Sequence, residues 1–166
     1  MAKFITSTPY MKQLDKPNKF RVCNNELLLD DNNEILLCWR GFVTDNYTSI
    51  KNARWDIRCS HFHDVGCKYH QVIKVKLTEQ ELWDRGFLIK VNNEVYCKDI
   101  PLYYLQIHNV SKKWINDLFY RAMKAADNPT IPTIIRVLYR CGVAFNFMWY
   151  FKWTPISWKD IYSSSF

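Results

Sequence analysis

Apolar and polar positions alternate between two regimes along this chain. In the first half, short apolar runs are broken by polar turns. The segment 27-LLLDDNNEILLCW-39 has two apolar runs around a turn rich in Asp and Asn, which predicts a β-hairpin. A second hairpin is predicted over 87-FLIKVNNEVYC-97, where Asn92 and Asn93 tolerate the positive φ values a tight turn needs. Between them, 54-RWDIRCSHFHDVGCKYHQVIKV-75 reads as a helix running into a short extended piece. Thr78 and Glu81 then stand at capping-box spacing, so a short helix ending near Gly86 follows.

The last third switches to helical periodicity. Ser111 is placed to cap 112-KKWINDLFYRAMKAAD-127, where Trp114, Ile115, Leu118, Phe119, Ala122, Met123 and Ala126 recur at helical spacing. The segment NPTIP (128–132) breaks that helix, because proline disfavours helix at its own position and at the one before. A second helix is expected from Thr133 to Tyr150, and 154-TPISWKDIYSSSF-166 is expected to be a strap over the surface. The class is α+β, with antiparallel hairpins in the first half and helices from the middle and C-terminal third packed on them. Residues 1–166 are expected to be a single domain with a core of about 20–150, leaving 1–19 and 154–166 as peripheral arms.

Composition narrows the function classes. Apolar residues are 48% and aromatics 16%, enough to fold and bury a core. No G-x-G-x-x-G or G-x-x-x-x-G-K-[ST] pattern occurs, which removes the common phosphate loops. The net charge of +7 favours acidic partners: nucleic acid, anionic cell-wall polymers or an acidic protein surface. No block of five like charges and no nucleic-acid motif accompanies it, so nucleic acid is supported by net charge alone. Cys23, Cys38, Cys59, Cys67, Cys97 and Cys141 form no C-x-x-C pair. MAKFITSTPYMKQ lacks the apolar core of a secretion signal, so free thiols in a reducing cytoplasm are the expectation. The run 143-VAFNFMWYF-151 is too short and interrupted to span a bilayer.

The densest chemistry lies in 59-CSHFHDVGCKYH-70. On a helix, Cys59, His63, Cys67 and His70 fall within an arc of roughly 80°, which resembles a Cys/His metal face. The helix rises about 16 Å across that span, too far for one ion to reach all four. His63-Asp64 is the better candidate: adjacent side chains about 100° apart, serving as two members of a site completed elsewhere. Asp45, directly after an apolar run in 40-RGFVTDNYTS-49, is a candidate ligand or base, or else turn chemistry. Asp117 falls opposite the apolar stripe of its helix, beside Lys113, Arg121 and Lys124, which reads as a solvated ion pair. Glu26, Glu34, Glu79, Glu81 and Glu94 fall mostly at expected turns and caps and single out no carboxylate pair.

The order of these motifs resembles a phage and prophage family known as domain of unknown function 1353. That family typically runs from a strand into G-F-x-T-D-x-x-S-x-P, then H-D-x-x-Y, then A-D-x-x-F. Gly41, Phe42, Thr44 and Asp45 match the first motif, with Ser49 displaced by one and its proline missing. His63 and Asp64 match the second, with Cys67 where the aromatic stands. Asp117 matches the third, with Asn116 replacing the small residue and Phe119 serving as the aromatic. The resemblance covers roughly residues 20–150. It implies that Asp45, His63, Asp64 and Asp117 converge in one pocket.

Two function classes follow, and the charge of +7 alone adds a third, an anti-defence or nucleic-acid-binding accessory protein. The first is a phage late-region protein: a virion-, tail- or neck-associated binding component with other virion proteins as partners. It is made in the host cytoplasm, and Trp149, Tyr150 and Trp153 are its contact anchors. The second is a metal-dependent hydrolase that holds a divalent ion on Asp45, His63, Asp64 and Asp117, with His63 or Asp64 in the acid–base role.

Overall fold

The protein is described by a computed structural model over residues 1–17, 19–44, 56–127, 131–144 and 153–162, with the backbone alone at 142–144. Strand β4 (Glu26–Leu29) pairs antiparallel with β5 (Ile35–Cys38), setting Leu27 against Leu37 and Leu28 against Leu36. Asn33, at φ 60°, turns the chain between them, as the Asp/Asn-rich turn predicts. Strand β1 (Lys3–Phe4) flanks β4, while β7 (Gln71–Val75) and β10 (Leu105–Asn109) extend the sheet beyond β5. The strand order is β1-β4-β5-β7-β10, every pair antiparallel. Residues 1–19, expected as a peripheral arm, supply β1 and also β2 (Met11–Gln13). Ala2 and Ile5 are buried, so apolar burial draws the start of the chain into the sheet.

Strand β2 belongs to a second sheet with β3 (Phe20–Val22) and β6 (Val43–Thr44), in the order β2-β3-β6. The expected second hairpin forms β8 (Leu88–Val91) and β9 (Glu94–Cys97), with Asn92 at φ 50° and Asn93 at φ 66°.

Helix α1 (Arg58–Tyr69) runs directly into β7 through His70, whose left-handed backbone (φ 52°) ends the helix. Helix α2 (Glu79–Asp84) begins at Thr78 with both halves of the capping box formed. Helix α3 (Lys112–Ala125) is capped by the Ser111 hydroxyl and buries Ile115, Leu118, Phe119, Ala122 and Met123. Helix α4 (Thr133–Ala144) packs on α3, and the rest of its expected length to Tyr150 lies outside the described residues. Among the described residues no helix is long and apolar enough to cross a membrane.

Two polar clusters join distant parts of the chain. Arg58 is 3% exposed, and its guanidinium binds Asp56 through Nε and Nη2, donates to the Thr6 carbonyl at 2.7 Å, and lies 4.1 Å over the Phe4 ring. It also meets Asp127 beyond the end of α3, at 2.5 Å. In the tail, Ile156 and Ile161 are buried, the Ile156 N–H donates to Gln71, and the Tyr162 hydroxyl accepts from the Ile100 N–H.

Candidate functional site

Helix α1 separates two environments. On one side it packs against α3, where a methyl group built on Gly66 would sit 2.2 Å from Ile115 Cδ1, so glycine permits the close approach. His63 belongs to this side. Its ring lies 4.6 Å from that of Phe119, its Nε2 is 3.2 Å from Asn116 Oδ1, and Cys67 Sγ is 3.5 Å away. His63 is 3% exposed, so packing and polar contacts between the two helices hold it.

Asp64 turns the other way, as a step of about 100° per residue requires. The Thr44 hydroxyl at the end of β6 donates to its carboxylate at 2.5 Å. Together they form part of the wall of an open cleft of about 670 Å³ between α1 and the β2-β3-β6 sheet. Lys12, Lys16, Lys19 and Arg21, from β2, β3 and the loop between them, line the cleft, and Lys68 joins them from the next turn of α1. The pKa of Lys68 is lowered, first by partial burial and then by the neighbouring charge of Lys19. Lys12, Lys16 and Arg21 form no salt bridge among the described residues, and Arg21 Nε is buried without a hydrogen-bond partner among them.

Asp117 sits elsewhere. It pairs with Lys113 one turn earlier on α3 at 3.1 Å and with Arg140 of α4 at 3.5 Å. That matches the helical-wheel placement on a polar face. His63, Asp64 and Asp117 thus engage three different sets of partners, although the resemblance implies one pocket. Asp45 lies outside the described residues. Among the described residues, no group of three or more His, Cys, Asp or Glu side chains is placed to hold a metal ion.

The Cys67–His63 contact does not create a nucleophile. Burial, and then the charge of Asp64, push the Cys67 thiol up to about 12, so it stays protonated near neutrality. Of the aromatic anchors, Trp153 stacks near His70 at 4.9 Å and is 44% exposed, while Trp149 and Tyr150 lie outside the described residues.

Two groups escape sequence reasoning. The cations of 12-KQLDKPNKFR-21 are spaced singly, and only the β2–β3 connection gathers them at one mouth. Their signal was four cations in a ten-residue segment bounded by strands. Glu26, expected at a turn or cap, instead lies inside β4 at 0% exposure, with its Oε2 2.7 Å from His61 Nδ1. Cys38, its register partner on β5, has its thiol raised well above the ordinary value by burial and then by Glu26. Compared with family models, curated proteins and solved structures, the chain finds no match.

Proposed function

We propose that this chain is a bacteriophage late-region protein that acts by binding: a small virion-, tail- or neck-associated component whose cleft beside Asp64 receives an acidic ligand. The carrying observation is the convergence of Lys12, Lys16, Lys19, Arg21 and Lys68 on one cavity of about 670 Å³. That size is typical of a ligand site, and the clustering turns a diffuse charge of +7 into a local field. The motif order T-D, H-D, N-D supports the phage assignment, and exposed Trp153 offers an aromatic contact to a neighbouring virion protein. Two measurements test the halves separately. Mass spectrometry of purified particles of the encoding phage is expected to detect the chain, and its absence sinks the virion half. Calorimetric titration with anionic ligands is expected to show salt-sensitive binding, and no heat with any of them sinks the cleft half.

The hydrolase reading keeps one supporting observation: a carboxylate, Asp64, stands in the cleft wall among the cations, oriented by Thr44. In that reading Asp64 is the general base. Turnover of a polymeric substrate that is lost in Asp64→Asn, with binding retained, would favour it over pure binding.

A further inference from the structure

The lining of the cleft narrows the ligand class, an inference that rests on the proposed role of the cleft as a binding site. We infer that the cleft takes a phosphate-bearing polyol chain, with phosphate at the Lys12/Lys16/Arg21 rim and an adjacent hydroxyl at the Asp64 carboxylate.

First, the cations call for an anion. Lys12, Lys16 and Arg21 have no salt bridge among the described residues, and the buried Arg21 Nε has an N–H to donate. An arginine fork and flanking ammonium groups match the oxygens of phosphate.

Second, the lining disfavours nucleic acid. Binding single strands depends on exposed aromatic faces on which bases stack. The aromatic among the described lining residues is Phe42, which is 2% exposed and has Lys68 Nζ 5.6 Å over its ring. A cavity of about 670 Å³ also holds only a short segment, whereas duplex recognition buries on the order of 1,000 Å² or more of protein surface.

Third, the cleft is not uniformly positive. Asp64 and Asp15 line it among the cations. A phosphate would be repelled beside these carboxylates, whereas a free hydroxyl between two phosphates, which an internal thymidine nucleotide lacks, is accepted. A carboxylate offers about four lone-pair sites, enough for Thr44, its other protein contacts and a ligand hydroxyl together. Alternating phosphate and hydroxyl is the chemistry of a polyol phosphate.

The test is calorimetric titration of the full chain with a glycerol-phosphate oligomer, a thymidine oligonucleotide of equal charge, and inorganic phosphate. The glycerol-phosphate oligomer is expected to bind at least tenfold more tightly than the oligonucleotide. In Lys12→Glu/Lys16→Glu, both exposed positions, its affinity is expected to fall at least tenfold with the melting temperature held. In Asp64→Ala, affinity for the oligomer is expected to fall several-fold, while inorganic phosphate binds as well or better because a like charge has gone. An oligonucleotide binding as tightly as the glycerol phosphate overturns the ligand class and leaves the cleft reading standing. Asp64→Ala affecting oligomer and inorganic phosphate equally overturns the role of the carboxylate. Binding of none of the three overturns the cleft reading itself.

Discussion

Asp64 accepts a hydrogen bond from Thr44 at 2.5 Å, tying the middle of α1 to the end of β6 in the wall of the cleft. Thr44 is 2% exposed, so its hydroxyl is removed from water and held by protein partners. Thr44→Val is expected to cost about 1–2 kcal/mol, because a hydrogen bond to a charged acceptor is lost. Asp64→Asn keeps an acceptor oxygen and is expected to cost less than about 1 kcal/mol. Urea denaturation of both variants checks the order, and a larger loss in Asp64→Asn would show that the charge carries fold stability.

Gly66→Ala sets two effects against each other. Alanine gains about 1 kcal/mol of helix propensity over glycine. Its methyl would sit 2.2 Å from Ile115 Cδ1 and Cγ1, and Ile115 is wholly buried with little room to yield. Overpacking of this kind costs about 1–3 kcal/mol, so a net loss of stability is expected. Pairing it with Ile115→Val should recover part of the loss in a double-mutant cycle.

His61→Ala tests the buried pair that joins α1 to the main sheet. Glu26 and His61 are both 0% exposed, and the substitution strands a carboxylate in the core. A loss of about 3–5 kcal/mol is expected. Glu26→Gln/His61→Ala, which removes the charge as well, is expected to be less damaging than His61→Ala alone. Thermal melts distinguish the two.

Arg58→Met removes the guanidinium that binds Asp56, Asp127 and the Thr6 carbonyl. Asp56 is 1% exposed, and losing its partner is expected to cost about 3–5 kcal/mol. Limited proteolysis is expected to show earlier cleavage near the N-terminus in this variant, because Thr6 loses its tie.

The buried thiols predict an alkaline limit. Burial pushes Cys67 and Cys97 up to about 12, whereas an unfolded cysteine titrates near about 8.5. Above that value the unfolded chain has released protons that the folded chain still holds. Stability is therefore flat below about pH 8.5 and falls as pH rises toward about 12. Tyr69, also pushed up to about 12 by burial, steepens the decline above about pH 10. Urea midpoints from about pH 7.5 to 10.5 test this, and Cys67→Ala/Cys97→Ala should flatten the slope. Alkylation followed by mass spectrometry is expected to label exposed Cys141 first and to spare Cys38, Cys59, Cys67 and Cys97.

What could be read from the sequence was local. Asn92-Asn93, the Thr78–Glu81 box and the Ser111 cap each act within four residues, and each appears in the structure as expected. The wheel reading also separated His63 from Asp64 and placed Asp117 among cations. The cleft was not legible, because it exists only when the β2–β3 hairpin folds against α1, a contact between residues roughly fifty positions apart. Glu26 was hidden for a related reason. An acid beside three leucines reads as the edge of a strand until His61, thirty-five residues on, supplies its partner.

The two-sidedness of α1 has an evolutionary consequence. Asp64 and Lys68, one turn apart, line the cleft, while His63 and Gly66 meet Asn116, Phe119 and Ile115 of α3. Substitutions at 64 and 68 act first on the cleft wall, and those at 63 and 66 act first on the helix pair. One stripe of this helix can therefore vary in sequence while the stripe behind it preserves the fold.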